Sequence, residues 1–252
     1  MTIIPTPDAI DTILGISPGS SLDQLRRRRP VTRDNTQASF LALFQTDQLT
    51  EVSRAERFAI AVFVAELHRD RAAAGFYAEG LAGPGGGDGH VTGHERGTGD
   101  DGGRLAALLD VVRDAAASGA ATGPYGDYSE RGLQAENRPG LWWKAPAAVT
   151  DALGARLSAA LEHAHLLVFR PREASPAALT ALTDAGWSTT GIVTLSQLIA
   201  FLTYQLRVVA GLQLLAAPDL QFPAARTASS AADQAVSPQA LSKQALSKQT
   251  RA

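Results

Sequence analysis

The stretch RAERFAIAVFVAEL, residues 54–67, constrains the fold more strongly than any other part of the 252-residue chain. Among residues 58–67 only Glu66 is polar, so a helix formed here is apolar on nearly every side. Such a helix is stable only when other helices surround it. Ser53 and Glu56 have the spacing of a capping box, which starts a helix directly after the serine. The sequence therefore predicts a central helix at this position.

Helical patterns and turn residues fill most of the remaining sequence. A second central helix is predicted at residues 194–215, and a short helix begins near Pro176 and stops at Gly186. No segment has the alternation of apolar and polar residues that is typical of a strand, so the predicted class is all-α. The other predicted helices span residues 36–44, 104–117 and 146–169.

Two low-complexity stretches set the limits of the folded part. Ten of the 21 residues from 83 to 103 are glycine, and ordering such a segment costs more chain entropy than its contacts return. We predict a flexible Gly-rich insertion there. Residues 218–252 are rich in Ala, Ser and Gln and contain the repeat ALSKQALSKQ, which indicates a disordered tail. The prediction is one helical domain over residues 1–217.

Composition excludes several classes of function. The net charge of -2 and the pI of about 6.2 provide no general attraction to nucleic acid or to anionic membranes. The basic run RRRRP at residues 26–30 is isolated, and we interpret it as a solvated helix end. The chain has no cysteine, which rules out a disulfide, a thiolate nucleophile and an iron–sulfur cluster within it. We predict no nucleic-acid partner.

The location of the protein is predicted from two segments. The opening residues, MTIIPTPDAIDTILG, lack the basic and apolar regions of a signal peptide, which favours a cytoplasmic protein. The apolar segment at residues 188–217 has the length of a membrane span. Gln197, Thr203 and Arg207 interrupt it, and an arginine is costly at the centre of a bilayer. We therefore predict a buried helix in a soluble protein and no membrane partner.

A polar stripe on that helix is the first candidate site. Gln197, Tyr204 and Arg207 are spaced by seven and three residues, which aligns them on one face. Because an unpaired buried arginine is very costly, we predict that Arg207 is buried and paired. The partner is a carboxylate such as Asp70 or Glu51, or else the anion of a substrate.

The histidines are less informative. His163 and His165, in EHAHLL, point about 200° apart on a helix, so one metal ion does not readily bind both, and we interpret them as helix-end or interface residues. His90 and His94 lie in the Gly-rich insertion, where a weak metal site is a minor alternative. We predict neither a cofactor nor a structural metal.

Two longer stretches resemble the alkylhydroperoxidase D and carboxymuconolactone decarboxylase family. LTEVSRAERFAIAVFVAELHRD is similar to the redox helix of that family. LTALTDAGWSTTGIVTLSQLIAFLTYQLRVVAGL is similar to the helical pair that follows it, in which a short helix ends at Gly-aromatic before a long buried helix. The resemblance implies an alkylhydroperoxidase D-like helical bundle that forms a homo-oligomer.

The same resemblance shows what the chain lacks. In peroxidatic members a glutamate, a C-x-x-C pair and a histidine form a proton relay that activates a thiolate. The family pattern places Phe58 at the glutamate, Asp70 and Ala73 at the two cysteines, and Tyr77 at the histidine. None of the four residues can perform the family's role, so the chain is not a self-contained thiol peroxidase.

Two functional hypotheses follow. The first is an accessory or catalytically silent oligomeric subunit, associated with a cysteine-bearing relative. The second is a cofactor-free acid/base enzyme, of decarboxylase or isomerase type, that acts on a small carboxylate or lactone. In it Arg207 would hold an anion while His68, Tyr77 or Tyr204 moves protons. His68 and Tyr77 converge only if the helix breaks between residues 69 and 71.

Overall fold

The computed structural model describes residues 7–83 and 101–217, and within them it contains nine α-helices and no β-strand. The all-α class is therefore confirmed. The helices are α1 (Ala9–Leu14), α2 (Ser21–Arg27), α3 (Pro30–Phe44), α4 (Arg54–Leu67), α5 (Arg71–Ala82), α6 (Asp101–Ser118), α7 (Ala147–Phe169), α8 (Pro176–Asp184) and α9 (Thr189–Ala216). The predicted tail, His90, His94 and most of the predicted insertion lie outside the described residues.

Helix α4 is the centre of the bundle, as predicted. Ser53 N donates to Glu56 Oε2 at 2.8 Å and Glu56 N donates to Ser53 Oγ at 3.2 Å, so both bonds of the capping box form. Every residue of α4 except Arg54 and Glu66 is buried. The helix contacts α3, α5, α6, α7 and α9, which explains why it has no solvated face.

Helices α4 and α5 are separated by a sharp corner. His68 follows the last residue of α4, and Arg69 adopts a left-handed backbone conformation with φ of 60°. Asp70 caps α5 by accepting a hydrogen bond from Ala73 N at 3.0 Å. The helix therefore breaks between residues 69 and 71. This break is the condition that the sequence analysis set for His68 and Tyr77 to converge.

Three boundaries match the sequence patterns closely. Helix α7 ends at Phe169, ahead of Pro171, and α8 stops before Gly186, whose φ of 90° only glycine adopts readily. Helix α6 includes the predicted 104–117 helix but begins at Asp101. The predicted Gly-rich insertion is therefore wrong over its last three residues, which are helical.

The basic run at residues 26–30 is only partly solvated, which corrects the interpretation of it as a helix end in water. Arg26 is buried, and it pairs with Asp11 and, at 2.8 Å, with Asp8. Arg33 joins the same group through Asp11 at 2.5 Å, and Asp23 pairs with Arg27 at 2.9 Å and with Arg33 at 3.2 Å. The acidic residues of the N-terminal segment therefore neutralise part of the run.

Helix α9 differs from the prediction of a helix buried all round. One side carries Leu195, Leu202 and Val209 into the core. The opposite side is exposed, including Val193, which is 52% accessible. By length and composition α9 could cross a membrane, and 44% of its most apolar window is buried within the protein. A soluble protein is compatible with this burial.

Candidate functional site

The four positions that the family resemblance assigned to a redox relay lie in or beside the core. Phe58, Ala73 and Tyr77 are buried, whereas Asp70 serves as the cap of α5. The Tyr77 hydroxyl donates to Oε1 of Gln205, and both residues are fully buried. Burial raises the pKa of Tyr77 far above its ordinary value. Tyr77 is therefore a neutral core residue that solvent does not reach.

Two other candidates, His68 and Arg207, do come together. They line an open pocket of about 360 Å³ at the α4–α5 corner, together with Arg69, Asp70 and Arg71. Nε2 of His68 is buried and has no hydrogen-bond partner within residues 7–83 and 101–217. Burial lowers the pKa of His68, and the charge of Arg207 lowers it further, while Asp70 acts in the opposite direction.

The prediction that Arg207 is buried and paired is wrong. Arg207 is exposed, and within residues 7–83 and 101–217 it forms no ion pair. Asp70 caps α5, and Glu51 hydrogen-bonds Ser188, so neither proposed partner binds it. The fully buried polar side chain on the same helix is instead that of Gln205. Gln205 was not part of the polar stripe predicted from the spacing of Gln197, Tyr204 and Arg207.

Tyr204 is separate from this corner. Its hydroxyl lies 2.9 Å from Thr36 Oγ1 on α3, and its side chain is 41% exposed. The structure thus unites His68 and Arg207 but not Tyr77 and Tyr204. No acid/base cluster of the predicted composition forms at the corner.

A second cavity is more enclosed and has a different chemistry. It encloses about 280 Å³ between α7, α8 and the segment at residues 142–145. Trp143 fixes one wall, because its Nε1 donates to Ser118 Oγ at 2.9 Å and its ring lies 5.3 Å from that of Phe63. Trp142, Leu166 and Leu182 contribute further apolar surface.

His163 is the exceptional residue of this cavity. It is 5% exposed, and both ring nitrogens are shielded from water and have no hydrogen-bond partner among the described residues. Burial lowers its pKa below the ordinary 6.5, so the imidazole is neutral at pH 7. An unpaired buried polar group is costly, and a catalytic or binding role is one of the reasons why a protein retains such a group.

His165 lines the same cavity but has a partner. Its ring nitrogen Nε2 lies 3.0 Å from the carbonyl oxygen of Gly119, and its ring stacks near Trp143 at 5.5 Å. Burial is the main cause that lowers its pKa, and the charge of Arg170 adds to it. The interpretation of His163 and His165 as helix-end or interface residues is wrong, because both are buried inside this chain.

The charged side chains of the cavity are paired with one another. Lys144 Nζ lies 2.6 Å from Glu162 Oε2 at the rim. Arg170 is buried and donates to both carboxylate oxygens of Glu173, at 2.7 and 2.9 Å. The Arg170 guanidinium also lies 4.3 Å from the centre of the Trp142 ring. These groups leave no unpaired charge around His163.

Comparison of the chain with protein-family models, with curated protein sequences and with solved structures finds no match. Within the part of the chain that the structure describes, no three His, Asp or Glu side chains are placed to share a metal ion. The features that bear on function are therefore the two pockets and the exposed side of α9.

Proposed function

We propose that the chain binds a small molecule in the cavity at His163 and exchanges a proton with it, without any thiol chemistry of its own. The observation that carries this proposal is a neutral imidazole, with two nitrogens that have no partner among the described residues, beside a half-open and mainly apolar cavity. The proposal keeps the hypothesis of a cofactor-free acid/base enzyme that acts on a small carboxylate or lactone. It places the active site at His163 instead of Arg207. We also propose that the chain belongs to the carboxymuconolactone decarboxylase branch of the family named above and that it is cytoplasmic.

A proton transfer at His163 is chemically simple. A neutral imidazole accepts a proton near pH 7 and returns it without a co-reactant. Because both nitrogens are shielded from water, the ring must turn about its side-chain bonds to present one nitrogen to the cavity. In an isomerisation, the proton leaves the carbon beside a carbonyl, resides on the imidazole, and returns at another carbon of the same molecule.

The test uses a β,γ-unsaturated five-membered lactone and the open-chain unsaturated carboxylate of similar size, each incubated with the protein in D2O. We expect the protein to accelerate deuterium incorporation and formation of the conjugated isomer of at least one of them, as followed by NMR. His163→Leu should lower that rate by about 100-fold or more, the usual contribution of a general base.

His68→Leu is the matched control, because His68 also has a lowered pKa but is only half-buried and lies at the α4–α5 corner. It should retain the wild-type rate. The proposal is wrong if neither compound exchanges faster than in buffer, or if His163→Leu exchanges as fast as the wild type.

A second candidate function is the accessory oligomeric subunit, and the exposed side of α9 favours it. Seven exposed residues follow one another at alternating intervals of four and three, the spacing of a coiled-coil seam. They are Val193, Gln197, Ala200, Tyr204, Arg207, Gly211 and Leu214. We propose that a second copy of the chain packs on this seam, where Ala200 and Gly211 permit close approach.

Light scattering on the purified chain tests this second candidate. We expect a mass of about twice the 26.4 kDa of one chain, and a return to the single-chain mass for Ala200→Glu, since the added charge is buried in the interface. Ala107→Glu, on the exposed side of α6, should leave the mass unchanged. A wild-type mass of one chain at micromolar concentration would contradict self-association. Co-purification of a cysteine-bearing relative would instead assign the seam to that partner.

A further inference from the structure

We infer that the cavity at His163 selects an uncharged, ring-sized molecule with one hydrogen-bonding group, and rejects the corresponding carboxylate. This inference rests on the proposed function, since it concerns what the same cavity accepts. It chooses between the two substrate classes, carboxylate and lactone, that the sequence left open.

The charges around the cavity favour an uncharged ligand. Each cation at the cavity already has its own anion: Lys144 has Glu162 at 2.6 Å, and Arg170 has Glu173 at 2.7 Å. His163 adds no charge, because its burial favours the neutral ring. A charged ligand would lose its hydration in the cavity and find no free counter-charge, which is strongly unfavourable. An uncharged ligand meets no such barrier.

The size and surface of the cavity favour a molecule with one ring. The cavity of about 280 Å³ is near the lower limit of small-molecule sites, so it suits one ring with a short substituent rather than a drug-sized molecule. Trp142 and Trp143 supply flat apolar surface, and indole rings pack well against planar groups. One face of Trp142 is occupied by the Arg170 guanidinium, which holds that wall in place.

The imidazole of His163 favours a ligand with a hydrogen-bonding group. A neutral histidine has one nitrogen that donates and one that accepts a hydrogen bond. Both nitrogens of His163 lack a partner among the described residues, so a ligand that pairs with either one, once the ring has turned toward the cavity, removes an existing penalty. A polar group of the carbonyl, hydroxyl or amide type supplies that pairing without bringing a charge.

The experiment is a titration with three compounds of nearly the same shape that differ in charge: benzamide, benzoate and benzamidinium. Tryptophan fluorescence reports binding, and Trp142→Phe tests whether the signal comes from the cavity, which the buried Trp187 does not line. We expect benzamide to bind at least about tenfold more tightly than either ion, and His163→Leu to weaken benzamide by about tenfold or more. Ala178→Phe, which fills the cavity from α8, should abolish the response.

The outcomes separate the two proposals. If benzoate or benzamidinium binds as tightly as benzamide, the uncharged class is wrong while binding at the cavity stands. If His163→Leu binds benzamide as well as the wild type, recognition by the imidazole is wrong. If none of the three compounds changes the Trp142 signal and Ala178→Phe has no effect on deuterium exchange, both the ligand class and the proposed function are wrong.

Discussion

Replacing Arg57 with leucine is expected to destabilise the protein by roughly 2–4 kcal/mol, which corresponds to a fall in melting temperature of about 5–15 °C. Arg57 is buried on α4, where burial lowers its pKa. Its guanidinium donates to three carbonyl oxygens, those of Val52 at 2.9 Å, Leu43 at 2.8 Å and Gln48 at 2.9 Å. These bonds fix the connection between α3 and α4. Leucine would leave the buried oxygen of Val52 without a donor.

Two further variants make the measurement specific. Arg57→Lys keeps the charge but cannot reach all three oxygens, so we expect an intermediate loss. Arg207→Leu, which removes an exposed and unpaired arginine, should change stability by no more than about 0.5 kcal/mol. Thermal melts of the three variants and the wild type measure these differences in stability. Equal melting temperatures for Arg57→Leu and Arg207→Leu would show that the hydrogen bonds of Arg57 contribute nothing measurable.

The two arginines illustrate which parts of the fold were predictable. Local patterns predicted helix α4, its capping box and the stop of α8 at Gly186, because neighbouring residues determine these features. The same reasoning placed Arg207 in the core because its segment is apolar. Which side of a long apolar helix faces the core depends on the helices that pack against it, and α9 turns Gln205 inward and Arg207 outward.

The candidate site was less predictable for a related reason. Sequence spacing predicted that His163 and His165 point in different directions on α7, whereas both line the same cavity, and the spacing did not show what covers each of them. The cavity forms where residues 142–145 and α8 both pack against α7. In the sequence these two segments lie on opposite sides of α7. The indications in the sequence were the pair Trp142 and Trp143 and two histidines inside an apolar helix.

Replacing His163 with leucine is expected to stabilise the protein, by roughly 1–3 kcal/mol at pH 7, while the proton-transfer activity proposed for the cavity is lost. The wild type leaves two imidazole nitrogens buried without partners, and leucine removes both while filling similar space. His165→Leu is the matched control, and we expect it to change the stability in the opposite direction. That residue is equally buried two positions away, but its ring binds the carbonyl oxygen of Gly119, so its removal should destabilise by a similar amount.

The pH dependence supplies a second readout for the same variant. Because burial lowers the pKa of His163 in the folded protein, the unfolded chain binds the proton more readily. The contribution of the neutral ring is therefore fully present above the ordinary pKa of 6.5 and is lost as pH falls toward the lower folded value. We expect the melting temperature of the wild type to fall more steeply than that of His163→Leu between pH 7 and pH 5. If His163→Leu instead melts lower than the wild type at pH 7, the imidazole has a stabilising partner, and the unpaired state that supports the proposed site does not exist.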